Sequence, residues 1–327
     1  MTRWTCFLLK CLLMCLSLPA QASLFRDPVL QQAYEQDRLD ALLLQARKGQ
    51  GAEALAGQGL AQALSNDAAA LRRAETAAQE CVRQYPEAAA CHYAQARVLG
   101  VQALQGGWMS GLRLLRPLRS ALEQVLALDP QLAEARHALQ QLLLLMPLGG
   151  SVDRARELER EVRDSQPVLA TLLRANLASK DKQWSVVERE LASLGSVESP
   201  VLQGLLMEAW NGYSRQWMKN NQHQAAQALL ERLARQYPQQ AMPAYLLGRV
   251  AADAGAHAQA IAHYERAQAL EGAAALPLAL RIGIAHQDLG ATAAARENLQ
   301  RALQHRQATP KNLEDAQRRL KQLAAAP

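Results

Sequence analysis

The chain has 327 residues, half of them apolar but only 4% aromatic, and carries a formal charge of +6 at pH 7. Ala, Leu, Gln and Arg, all good helix formers, dominate it, and no alternating β-branched run is long enough for a sheet, so β and α/β classes are excluded and an all-α fold is expected. Basic residues are spread along every helix instead of clustering, which argues against a nucleic-acid-binding surface.

The chain begins with the pattern of a targeting segment. Arg3 and Lys10 form a basic start, Cys11 to Leu18 is a short apolar run, and Ala20-Gln21-Ala22 offers a small-x-small cleavage site before Ser23. The alternative, a retained anchor, is disfavoured because the apolar run is too short to span a bilayer. Met14 is too large for the small residue a lipoprotein signal places before its cysteine, here Cys15. Residues 1–22 are therefore expected to be a cleaved signal peptide and the mature chain, 23–327, periplasmic. Losing Arg3 and Lys10 takes the formal charge from +6 to +4.

From residue 23 to 206 the sequence reads as divergent helical hairpins, punctuated by Pro86, Pro130, Pro167 and Pro200. Arg83-Gln84-Tyr85-Pro86 recurs as Arg235-Gln236-Tyr237-Pro238, each closing a unit. Once the leader is removed only Cys81 and Cys91 remain, five residues either side of Pro86. Antiparallel helices joined by a short turn bring such positions within disulfide range, so the pair is a disulfide candidate; two small buried thiols are the alternative.

Two irregularities follow. About ten extra residues lie near Gln105-Gly106-Gly107-Trp108-Met109-Ser110-Gly111, because Ala96 and Leu118 are 22 residues apart where the regular units allow 12. A second extension occupies Met146-Pro147-Leu148-Gly149-Gly150-Ser151. Turns of successive hairpins project from one edge of a stacked array, so the two are expected side by side as a candidate recognition edge. Trp108 and Met109 either fold back as a plug on their own hairpin or stand exposed as an anchor.

The last third repeats at a spacing of 34 to 35 residues. Leu247-Gly248, Gly255, Ala260, Tyr264 and Ala267 are matched by Ile282-Gly283, Gly290, Ala295, Leu299 and Ala302. Trp210, Tyr213, Ser214, Trp217, Ala226, Leu230 and Leu233 occupy the same frame one unit earlier. The pattern delimits units 207–240, 241–275 and 276–310, with Gly255, Gly290 and Asn221 suited to the left-handed turn that ends a first helix. Gly248, Gly283 and Ser214 are expected to face Ala260, Ala295 and Ala226, where two helices must approach closely. Thr309-Pro310 starts a final helix, 310–325, whose thin stripe of Leu313, Leu320 and Leu323 suits a capping element.

The small residues, the aromatic positions and the closing prolines resemble the tetratricopeptide repeat. That resemblance implies a right-handed α-solenoid of stacked antiparallel hairpins whose first helices line a concave groove. Carried over by register, the groove positions are Glu208, Asn211, Arg215, Met218 and Lys219, then Met242, Tyr245, Arg249, Ala252 and Asp253, then Pro277, Leu280, Ile284, Gln287 and Asp288. Asn211, Arg215, Met218, Met242, Tyr245 and Arg249 are the residues expected to hold a protein or peptide partner, with a solvated inner face as the alternative. The family's carboxylate clamp is not implied, since Asn211, Arg215 and Arg281 stand where it needs its own Lys and Asn set. The Gly-Gly turns are also similar to those of components associated with TRAP-type solute transporters, which implies a second reading: a small ligand enclosed near 105–111 and 146–151.

No catalytic pattern is present: no HExxH, CxxC, GxSxG or GxxxxGK. His257 and His263, six apart, fall on different faces of a helix and make a poor metal pair, and His286 reads as a packing residue. The expectation is a non-catalytic binding protein without a cofactor.

Overall fold

The computed structural model describes residues 23–65, 67–146, 151–305 and 308–325. The expected signal segment and the Pro147–Gly150 part of the second extension lie outside them. Among the described residues the chain is helical throughout, with one isolated bridge between Gln240 and Glu271.

The helices, in order, are α1 (Pro28–Glu35), α2 (Leu39–Lys48), α3 (Ala52–Ala63), α4 (Ala68–Gln84), α5 (Ala89–Gln105), α6 (Gly107–Leu128), α7 (Ala133–Leu145), α8 (Val152–Arg160) and α9 (Pro167–Lys180). They continue with α10 (Trp184–Ser193), α11 (Pro200–Lys219), α12 (His223–Gln236), α13 (Ala241–Asp253), α14 (His257–Gln268), α15 (Leu278–Asp288), α16 (Thr292–Leu303) and α17 (Pro310–Ala325). Each odd helix from α3 to α15 packs on the even helix that follows, and α17 packs on α16. The architecture is an all-α solenoid of stacked hairpins, because no single amphipathic hairpin can cover its own apolar stripe and each must lend a face to its neighbour.

One turn recurs. Asp37, Lys182, Asn221, Gly255 and Gly290 all have φ between 51° and 79°. In each case the next amide donates to the carbonyl five residues back: Arg38 to Ala33, Gln183 to Ala178, Gln222 to Trp217, Ala256 to Ala251 and Ala291 to His286. This closes the first helix with a left-handed cap and reverses the chain.

Close packing sits at the small residues, and the nearest atoms come from the large residue one turn further along the second helix. A Cβ on Gly248 would meet Cε1 of Tyr264 at 2.5 Å, and one on Gly283 would meet Cγ of Leu299 at 2.9 Å. The large residue of the second helix, one turn beyond Ala260 or Ala295, fills the space each glycine leaves. Ala260, Ala295, Ala226 and Ser214 are themselves fully buried.

A hydrogen-bonded spine crosses three first helices. Gln140 on α7 donates to the carbonyls of Ala155 and Leu173, both at 3.1 Å, and accepts from Asn176 Nδ2 on α9 at 3.1 Å. Tyr213 on α11 donates to Asn176 Oδ1 at 2.7 Å. These polar groups are buried and satisfied, which fixes the register of one hairpin on the next. Cys81 on α4 and Cys91 on α5 form a disulfide with a Cα separation of 5.2 Å, tying the second and third hairpins together.

The first irregularity is not a loop. Its residues extend both arms of the α5–α6 hairpin, which reach 17 and 22 residues, with only Gly106 between them. Met109 is 71% exposed, so it is no plug; Trp108 belongs to the first turn of α6 and its side chain lies outside the described set.

Candidate functional site

The lengthened α5 and α6, together with α7 and the N-terminal half of α11, enclose a recess of about 350 Å³. Leu115, Leu118 and Leu122 of α6 line one wall, and Ala96, Gly100 and Leu104 of α5 face Ala138, Leu142 and Leu145 of α7. Leu205 and Glu208 of α11 complete it. The lining runs along α5 from Tyr93 to Leu104 and along α7 from Glu134 to Leu145, about 16 Å of helix in each case.

The two ends differ in chemistry. One is a bare apolar lip: Leu104 is 88% and Leu145 79% exposed, and Met109 and Leu112 at the tip of the α5–α6 hairpin are exposed as well. The other end gathers Tyr93, Arg97, Glu134, His137 and Glu208. Tyr34 of α1 joins them, its hydroxyl 3.3 Å from that of Tyr93.

Glu134 is the anomaly of this cluster. It is buried, and neither carboxylate oxygen has a hydrogen-bond partner from another residue. Burial raises its pKa to about 7, against the opposing pull of its own amide; Glu35 and Asp129 add to the rise and Arg97 opposes it. Burial alone would depress the pKa of Arg97, but Tyr93, Tyr34, Glu208 and Asp37 together hold it above its ordinary value. His137 is buried and its pKa depressed, with Glu208 opposing, so it is neutral at pH 7; Gln141 Nε2 lies 3.2 Å from its Nε2. Burial pushes the Tyr93 phenol up to about 12.

The groove residues expected from register are dispersed in burial. Arg215 is exposed, and Asn211 and Met242 are half-buried. Met218 and Tyr245 are buried in the core, where Tyr245 lies 5.9 Å from the Tyr264 ring, so neither offers the free apolar surface expected of it. Arg249 is half-buried and turned onto Tyr245, its Nη1 3.3 Å from the hydroxyl and its Cζ 6.0 Å from the ring centroid. Glu208, the first groove position in register, does face the recess. Tyr93, Arg97, Glu134, His137 and Gln141 match no motif, and their one signal in the sequence is spacing: Tyr93 and Arg97 are four apart and Glu134, His137 and Gln141 are three and four apart, each set on one helical face. Among the described residues no group of three or more His, Cys, Asp or Glu is placed to hold a metal ion, and no helix is long and apolar enough to cross a membrane.

Stacked hairpins, left-handed caps and paired small residues together define a tetratricopeptide-like α-solenoid. No family model and no curated protein sequence matches the chain. Solved structures similar to it include the APC/C hetero-tetramer Cut9–Hcn1, at 16% identity and a TM-score of 0.46, covering 89% of this chain and 56% of that one. A tetratricopeptide repeat protein from Parabacteroides merdae, at 14% identity and TM-score 0.43, covers 88% of this chain and 99% of its own. IFIT1 bound to m7Gppp-AAAA, at 14% and 0.49, covers 90% and 71%. The chain thus spans little more than half the length of the Cut9–Hcn1 chain, and these likenesses are of fold alone.

Proposed function

We propose that this protein is a non-catalytic periplasmic adaptor that captures a segment of a protein or peptide partner in the recess between α5, α6, α7 and α11. The carrying observation is the bare apolar lip of Leu104 and Leu145 opening into an apolar-walled recess with a polar end. Exposed apolar surface that leads into a concave, mostly apolar site with a few converging polar groups is the common form of a binding site. The leader pattern at residues 1–22 supports the compartment. The volume suits one or two side chains, so the recess acts as the anchor pocket of a larger contact.

Peptides selected from a random displayed library test the reading, when each is re-measured on two variants. Gly100 lines the recess, and a Cβ there meets no atom within 4 Å, so the α5 backbone accepts a side chain at this position and Gly100→Phe fills recess volume with a ring. Selected peptides should bind the parent protein and lose at least tenfold in affinity on Gly100→Phe. Equal binding to Gly100→Phe, with loss on Arg215→Glu combined with Arg249→Glu, would move the contact to the C-terminal groove.

The small-ligand reading is favoured by one observation, the position of the recess beside both irregular segments: its lining includes Leu104, which precedes the first, and Met146, which opens the second. Native mass spectrometry of the protein from its own source tests it: a bound small molecule released by Gly100→Phe would favour solute binding.

A further inference from the structure

We propose that the occupant of the recess is an alkylammonium group, its cationic head at Glu134 and Glu208 and its apolar stem running toward Leu104 and Leu145. The proposal rests on the recess being the binding site and adds the chemistry of what enters it. Three observations carry it.

The first is the orphaned carboxylate. Glu134 lines the recess, is only 7% exposed, and has no hydrogen-bond partner on either oxygen from any other residue. A buried carboxylate without a partner is costly, and it persists where something else supplies the partner. An ammonium offers three donors and the opposite charge.

The second is the balance of charge. Among the described residues Arg97 is the one cation lining the recess, and it feels Glu208 and Asp37, while Glu134 feels Glu35 and Asp129 as well as Arg97. His137 is buried with its pKa depressed, so it adds no positive charge at pH 7. Acidic groups from α1, from the α1–α2 and α6–α7 turns, from α7 and from α11 therefore outnumber the single guanidinium, and a second anion would enter against a negative excess.

The third is polarity along the slot. The polar cluster and the apolar lip lie at opposite ends of about 16 Å of helix, so a ligand with a charged head and an apolar stem matches both. Burying the stem against the α6 leucines takes its apolar surface out of water. A lysine side chain of a peptide and a free aliphatic amine share this chemistry.

Calorimetric titration tests the charge first. Octylammonium, octanoate and octanol are compared at pH 8 on the parent protein, Glu134→Gln, Glu208→Gln and Gly100→Phe. The expected result is that octylammonium binds at least tenfold more tightly than either other probe. Glu134→Gln should lose tenfold or more, Glu208→Gln less than that, and Gly100→Phe all measurable binding. Because Glu208 is exposed, its variant keeps the fold whatever Glu134→Gln does. Binding of the ammonium should also weaken on acidification by up to tenfold per pH unit below about 7, as Glu134 takes up its proton, and this dependence should vanish in Glu134→Gln.

Octanoate binding as tightly as octylammonium, or neither binding, would overturn the proposal; the former would make Arg97 the anchor of an anion site. A capped lysine-containing tripeptide and its norleucine counterpart separate the sources. A lysine preference points to a peptide side chain, whereas octylammonium binding with no peptide binding points to a free amine. If library peptides occupy the recess but carry no lysine, and octylammonium does not bind, the ammonium inference fails while the adaptor reading stands.

Discussion

Replacing Glu134 with Gln should stabilise the protein at alkaline pH and destabilise it at acid pH. The Glu134 carboxyl, ordinarily at 4.5, is held at about 7 in the folded chain, chiefly by burial. Between those two values the folded chain keeps a proton that the unfolded chain releases, so stability is greatest below about 4.5 and falls as pH rises through 7. The loss approaches 3 kcal/mol by pH 8, since each tenfold displacement of the ionisation equilibrium is worth about 1.4 kcal/mol. The Glu134→Gln variant would lack that loss and instead leave amide donors unpaired, a pH-independent cost of about 1–2 kcal/mol. Melting curves of both proteins at pH 4.5, 6 and 8 measure the difference. It should move in favour of the variant by about 3 kcal/mol, or roughly 5 °C for a chain of this size. A difference that stays constant across the three pH values would refute the assignment of a buried, unpartnered carboxyl.

Four further outcomes follow from the packing. Gly248→Val should lower stability by about 2–3 kcal/mol in a chemical melt, because the new side chain must displace the Tyr264 ring. Lys182→Gly should raise it by about 1 kcal/mol, since Lys182 holds φ of 56° at a cap that glycine adopts without strain. Asn176→Ala should cost about 2 kcal/mol by stranding both the Tyr213 hydroxyl and the Gln140 carbonyl in the interior. Reducing Cys81–Cys91, or replacing both with Ala, should cost about 2–3 kcal/mol; protection of α4 and α5 amides from hydrogen exchange should fall while that of α13–α16 stays unchanged, because hairpin arrays transmit stability only between neighbours.

The repeat was legible in the sequence wherever one residue type is the only good solution. Gly255, Gly290 and Asn221 mark three of the five left-handed caps because glycine and asparagine reach that conformation most easily. Asp37 and Lys182 adopt the same geometry without a residue that announces it; the surrounding hairpin imposes the turn. The disulfide could be anticipated because two cysteines flanking one proline leave few geometries. The groove register transferred less well. Tyr245 is drawn into the core by the ring of Tyr264, since a first-helix aromatic beside a glycine-made gap gains more by packing than by facing water.

The recess lay hidden for a related reason. Its walls come from four helices, with Tyr34 and Asp37 approaching from the first hairpin, so no local spacing describes it. What the sequence does contain is a conflict: Glu134, His137 and Gln141 recur at three and four residues on the same first helix that carries the buried Leu139, Leu142 and Leu143. A structural helix has no reason to turn an acid and a histidine inward, and local rules broken without local compensation tend to mark function. The ten residues added to the α5–α6 hairpin break the repeat at the same place. They extend two arms beyond the neighbouring hairpins and leave Leu104 and Met109 bare. Polar groups turned into one end of the slot and apolar groups left open at the other are two departures from an efficient solenoid. A single occupant, charged at one end and apolar along its stem, accounts for both.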